Sequence, residues 1–100
     1  MILYNVTISV DHEVHAELIE YVQKKHVPQV MASGLVIENK VLRLLSAPNA
    51  DQGVTYSVQY FVKNMSDYEK LDYYESDVYK TFPEKFRNKF FEFRTVMEVL

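Results

Sequence analysis

"VTYSVQYFV", residues 54–62, sets Val54, Tyr56, Val58, Tyr60 and Val62 on one side and Thr55, Ser57, Gln59 and Phe61 on the other. A period of two in β-branched and aromatic residues is the mark of a strand whose two faces meet different surroundings. Residues 2–10 repeat the pattern, with Ile2, Tyr4, Val6, Ile8 and Val10 opposed to Leu3, Asn5, Thr7 and Ser9. Residues 36–45, "VIENKVLRLL", read as a further strand, joined to 54–62 by the turn-rich "SAPNADQG" of 46–53. So short a connection predicts an antiparallel hairpin. The last strand is "FEFRTVMEV", 91–99, in which Phe91, Phe93, Thr95, Met97 and Val99 oppose Glu92, Arg94, Val96 and Glu98.

Between strands the spacing turns helical. From Asp11, a good N-cap residue, Val14, Leu18, Tyr21 and Val22 group on one side of a wheel, opposite Glu17, Glu20 and Lys24. Gly34 is the expected C-terminal cap. Inside this region "KKHVPQVMASG", 24–34, places Pro28 where the helix should still be running. Proline removes the hydrogen bond to the carbonyl of Lys24 and disfavours helical geometry at Val27, so a kink or restart is expected. The second helix opens on "SDYE", a capping box with Ser66 as N-cap and Glu69 at N3. Its inner face carries Tyr68, Leu71, Glu75, Val78 and Tyr79, with Phe82 just beyond. "TFPE", 81–84, predicts a short extra helix that turns Phe86 and Phe90 inward.

The order strand, helix, strand, strand, helix, strand predicts an α+β, ferredoxin-like sandwich: a four-stranded antiparallel sheet with both helices on one face. The other face should carry Asn5, Thr7, Ser9, Arg43, Thr55, Ser57, Gln59 and Arg94, mixed with Leu3, Val41, Leu45, Phe61 and Val96. That mixture is too apolar for full exposure, and two copies closing their sheets on each other into a dimeric barrel would cover it. The alternative is a wet face, which antiparallel sheets tolerate.

Composition limits the function classes. The 100 residues are 48% hydrophobic and 25% charged, which suits one soluble domain spanning 1–100. A formal net charge of -3 and the absence of a basic run argue against nucleic acid. The chain has no cysteine, which excludes a disulfide framework, a thiolate nucleophile and a Cys-based metal site. Neither a signal peptide nor a membrane span is read, and the expected location is cytoplasmic. The two glycines fall in no phosphate loop or dinucleotide fingerprint, and no cofactor is expected.

"YNVT" at 4–7, "HVPQVMASGL" at 26–35, "RLL" at 43–45, "VTYSVQYF" at 54–61 and "FRT" at 93–95 together resemble the family catalogued as domain of unknown function 4286. The resemblance spans the chain in order and implies a ferredoxin-like, dimeric α+β barrel; it brings no reaction with it. The plan is also similar to antibiotic-biosynthesis and haem-degrading monooxygenases. Haem-degrading members use an asparagine on the first strand, a tryptophan on the third and a histidine on the second helix. Asn5 matches the first of these. The chain contains no tryptophan, and His12, His15 and His26 all lie in the first helical region, which argues against haem degradation.

His26 is the candidate acid or base. It falls near the apolar stripe, aimed at the sheet and at Tyr56 or Tyr60, where an imidazole is suited to proton transfer near neutral pH. The plain structural alternative is that the Pro28 break turns the chain into the next strand and His26 satisfies a carbonyl. Asn5, Arg43, Tyr56, Gln59, Tyr60 and Arg94 are candidate ligand-binding residues, because a guanidinium on the mixed face needs a carboxylate, a carbonyl or an anionic ligand. Glu92 or Glu98 of a second copy would also serve. No metal site is expected: His15 and His26 share a face but lie about 16 Å apart along the helix, and His12 with His15 sits at an exposed start. Two functions follow. One is a homodimeric small-molecule-binding or structural module; the other is a cofactor-independent monooxygenase- or isomerase-like enzyme using His26. The lack of a recognisable catalytic motif favours the first.

Overall fold

A computed structural model describes residues 1–46 and 53–100. Most of the expected turn segment, 47–52, lies outside the described residues. The elements are β1 (Ile2–Val10), α1 (His15–Tyr21), a π-helical turn (Val22–His26), α2 (Val27–Met31), β2 (Val36–Arg43), β3 (Val54–Val62), α3 (Met65–Tyr79), a 3-10 turn (Glu84–Phe86) and β4 (Phe90–Glu98). The sheet order is β2-β3-β1-β4, antiparallel throughout, so the two most regularly alternating strands sit at its centre. The apolar sides of β1 and β3 are buried against Leu18, Val22, Val27, Val30, Leu71 and Phe86, which puts all the helices on one face. This is the expected ferredoxin-like α+β arrangement. Among the described residues no helix is long and apolar enough to cross a membrane.

Pro28 does not interrupt the first helical region. The turn before it widens instead, and the Val27 N–H donates to the carbonyl of Val22, five residues back. The wider turn passes Pro28 into the first turn of α2, where its missing donor matters little, and brings both His26 and Val27 to the buried side. Gly34 ends the region with φ of 75°, a conformation that L side chains resist.

Other boundaries moved. Asp11 is not the N-cap of α1. Its N–H donates to the Lys89 carbonyl and its own carbonyl accepts from Val14, so it opens a turn that delays the helix to His15. The α3 cap is Asn64, two residues before Ser66: its Oδ1 accepts from the Asp67 N–H at 2.9 Å.

Two strands present the opposite faces from those expected. In β4 Arg94 pairs with Val6 and Val96 with Tyr4, so Arg94, Val96 and Glu92 face the helices while Phe91, Phe93 and Met97 face outward. In β2 a bulge between Val36 and Glu38 shifts the register by one residue. Val41 then pairs with Val58 and Arg43 with Tyr56, both on the helix side. A one-residue slip exchanges every later side chain between faces. Leu45 lies past the end of the strand and is exposed.

Candidate functional site

The inversion of β4 builds the most unusual feature of the core. Arg94 passes under α3 and reaches Glu75, a carboxylate buried to 2% exposure on the helix's inner stripe between Leu71 and Val78. The Arg94 Nη2 lies 3.2 Å from both Glu75 oxygens, its Nη1 2.7 Å from Glu92 Oε1, and its Nε donates to the Tyr4 hydroxyl at 2.6 Å. The Tyr4 hydroxyl in turn donates to Glu75 Oε2 at 3.3 Å. From the first helical region the π-helical turn delivers His26, whose Nε2 lies 3.4 Å from Glu75 Oε1. A carboxylate there requires a donor, which assigns a proton to Nε2.

These neighbours set the ionisation of the cluster. Burial pushes the Glu75 carboxyl up, but the His26 contact and the Arg94 charge outweigh it and hold the group below the usual carboxylate range. Glu92 goes the other way. Burial raises its carboxyl above the usual range in spite of Arg94, and the nearby Glu75 charge adds to the rise. Burial and the Glu75 carboxylate also raise the Tyr4 and Tyr60 hydroxyls, so both stay protonated and able to donate. Tyr79, on which the Arg94 guanidinium rests at 5.6 Å, is pushed up to about 12 by burial and by Glu92.

Two buried atoms beside this cluster have no hydrogen-bond partner among the described residues: His26 Nδ1 and the Tyr60 hydroxyl. Their residues line one small cavity of about 10 Å³, walled by Val6, Ile8, Val22, Val58 and Phe82 and closed by Glu75 and Glu92. Glu75 and Glu92 also line an outer groove of about 280 Å³ with Asp72, Ser76, Tyr79 and Arg94. Buried polar atoms are nearly always satisfied, so two orphans in one cavity point to a missing partner.

The structure brings His26, Tyr60 and Arg94 together and leaves the other candidates elsewhere. Tyr56 does not meet His26; its hydroxyl lies 2.9 Å from His15 Nδ1, near the start of α1. Arg43 is exposed at the end of β2, not on the outer face beside Asn5. Asn5 and Gln59 are on the outer face, in a chain of hydrogen bonds. Gln59 Nε2 donates to Ser57 Oγ, Ser57 Oγ to Asn5 Oδ1, and Asn5 Nδ2 to Thr7 Oγ1. No group of three or more His, Asp or Glu among the described residues is arranged to hold a metal ion. Glu75 and Tyr4 complete the cluster. Their signal in the sequence is a carboxylate on an apolar helical stripe facing a strand tyrosine.

A ferredoxin-like α+β domain with a buried ion-pair cluster between its helices and its sheet is the class that this fold and site define. The chain belongs to the family described as domain of unknown function (DUF4286), which matches residues 1–100. No curated protein matches it. Among solved structures the chain is similar to HapK from Hahella chejuensis, at 15% identity and TM-score 0.70, with 100% of this chain and 93% of that one covered. It is also similar to a dimeric ferredoxin-like protein from an uncultured marine organism, at 14% identity and TM-score 0.65, with 98% of each chain covered. A mutant of MhuD with two manganese protoporphyrin IX molecules bound per active site matches at 12% identity and TM-score 0.75, covering 100% of this chain and 95% of that one. At such identities the likeness is one of fold.

Proposed function

We propose that residues 1–100 act as a single-domain, homodimeric small-molecule-binding protein whose ligand enters between α3 and β4 and reaches toward His26 and Tyr60. The observation that carries this reading is the pair of unpartnered buried atoms, His26 Nδ1 and the Tyr60 hydroxyl, in one cavity beside a buried carboxylate. A domain selected for stability alone would fill that space with apolar side chains, since buried ion pairs seldom outperform them.

The dimer part of the proposal rests on the outer face. Phe91, Phe93 and Met97 are 66%, 56% and 41% exposed around the polar chain of Asn5, Ser57 and Gln59. Large apolar groups clustered around satisfied polar ones form a surface suited to a partner. Two similar structures are described as dimeric ferredoxin-like proteins, which agrees.

A porphyrin, as in the MhuD structure, does not fit these residues: the enclosed cavity is far too small, and His26 Nε2 is committed to Glu75. A second reading, a cofactor-independent monooxygenase- or isomerase-like enzyme with His26 as acid or base, is favoured by the same Glu75 contact. A carboxylate on one ring nitrogen fixes the tautomer and leaves the other free for a substrate proton. Binding is the better supported of the two, because Tyr4, Glu75, Glu92 and Arg94 are already paired with one another and leave no second catalytic group beside His26. Native mass spectrometry after incubation with an extract of small cellular metabolites is expected to give twice the chain mass plus a bound molecule. A monomeric mass that takes up nothing would count against the proposal.

A further inference from the structure

We infer that the pocket is built for an uncharged ligand that presents a single hydroxyl group, which bridges His26 Nδ1 and the Tyr60 hydroxyl. This rests on the reading of the pocket as a ligand site and names the chemistry that it takes.

Size is the first constraint. The cavity holds about 10 Å³, room for one water-sized group and no more, and it shares Glu75 and Glu92 with the outer groove of about 280 Å³, where the remainder of a small molecule would lie. Valency is the second. Tyr60 is 1% exposed and His26 5%, so neither orphan atom can turn to bulk water. A hydroxyl both donates and accepts. It therefore satisfies Nδ1 whether that nitrogen offers a lone pair or a proton, and it satisfies the Tyr60 hydroxyl in the complementary sense. With the His26 proton on Nε2, an ammonium group would leave the Tyr60 proton without an acceptor, and a carboxylate would leave the Nδ1 lone pair without a donor.

Charge is the third constraint, and it turns away an anion. The Arg94 guanidinium, the cationic group at this place, is already engaged by both oxygens of Glu75, by Glu92 and by Tyr4. Three of the six described residues that line the outer groove are carboxylates, Asp72, Glu75 and Glu92, against the one cation Arg94. A second anion would meet this excess of negative charge and be repelled by it. Tyr79 adds an aromatic wall to the groove, its ring packed against Phe82 at 5.0 Å and against the Arg94 guanidinium.

The test uses three probes of one shape. Phenol, toluene and benzoate are titrated into the folded protein, with the ring nitrogens of His26 and the ring carbons of Tyr60 followed by NMR. Phenol is expected to shift both residues and to bind about tenfold more tightly than toluene, the scale of one well-placed hydrogen bond, with benzoate weaker than either. Tyr60→Phe should keep the fold, because it removes an unpaired buried hydroxyl, and should bring phenol down to the affinity of toluene. Benzoate shifting the same residues more strongly than phenol, or toluene equalling phenol, would overturn the hydroxyl while leaving the pocket. If none of the probes shifts His26 or Tyr60, both the inference and the pocket fall.

Discussion

Arg94→Met is expected to destabilise the fold by about 4 kcal/mol, the cost of leaving a buried charge without its partner, and to lower the melting temperature by roughly 15–30 °C for a domain of this length. The asymmetry of the pair makes this the severe change. The Glu75 side chain is 3% exposed and the Arg94 side chain 32%. Without Arg94 the carboxylate stays sealed, with His26 and Tyr4 as its remaining contacts. Glu75→Gln keeps the shape and leaves Arg94 with Glu92 and access to water, so its cost should be about 1–2 kcal/mol, that of weakened charge-assisted hydrogen bonds. The dependence on pH gives a signature. In the native protein Glu75 ionises below its unfolded range, so its contribution is full above the unfolded value of about 4.3 and is lost as pH falls through the lower folded value. In Arg94→Met the loss of the guanidinium moves the folded value up, so that contribution shrinks. The gap between the two proteins should therefore be wide at pH 7 and close in acid, measured by urea denaturation from pH 3 to pH 8. A gap that does not vary with pH would mean that Arg94 acts through packing alone.

Phe93→Glu should break the proposed dimer with little effect on the protomer. Phe93 stands opposite Thr7 on the outer face, in the strand beside the central β1, and more than half of its surface is exposed. A carboxylate there costs the protomer little. In a closed interface it would be an unpaired charge, enough to raise the dissociation constant on the order of a thousandfold. Sedimentation velocity should then give a single slow species with an unchanged circular dichroism spectrum. Persistence of the native sedimentation coefficient in this variant would place any dimer contact on another surface.

Much of this architecture is legible in the residues because β1 and β3 alternate without exception, and their partners inherit the two faces. The failures lie where a local rule met a stronger demand. In "FEFRTVMEV" the aromatic set belongs inside by hydropathy, yet the register puts Arg94 there to meet Glu75, with Glu92 as its second carboxylate. That demand is non-local, since Arg94 and Tyr4 are ninety residues apart in sequence. The bulge in β2 is equally hidden, because "VIENKVLRLL" contains neither glycine nor proline to mark it. His26 was accessible from its wheel position and from the Pro28 irregularity. Its partner Glu75 shares that legibility in part: its wheel position is plain, but a single helix cannot say which cation crosses the core to reach it.

A cluster under α3 that serves a ligand and not the fold should be dispensable for stability. Replacing it as a unit by apolar or neutral groups (Tyr4→Phe, His26→Leu, Glu75→Leu, Glu92→Gln and Arg94→Met) and measuring the urea midpoint is the most direct test. A protein at least as stable as the native one is predicted, by analogy with buried ion pairs whose apolar replacements gain about 1–4 kcal/mol. A loss of more than about 2 kcal/mol, well beyond the scatter among hydrophobic replacements, would make the cluster part of the framework and contradict the central claim.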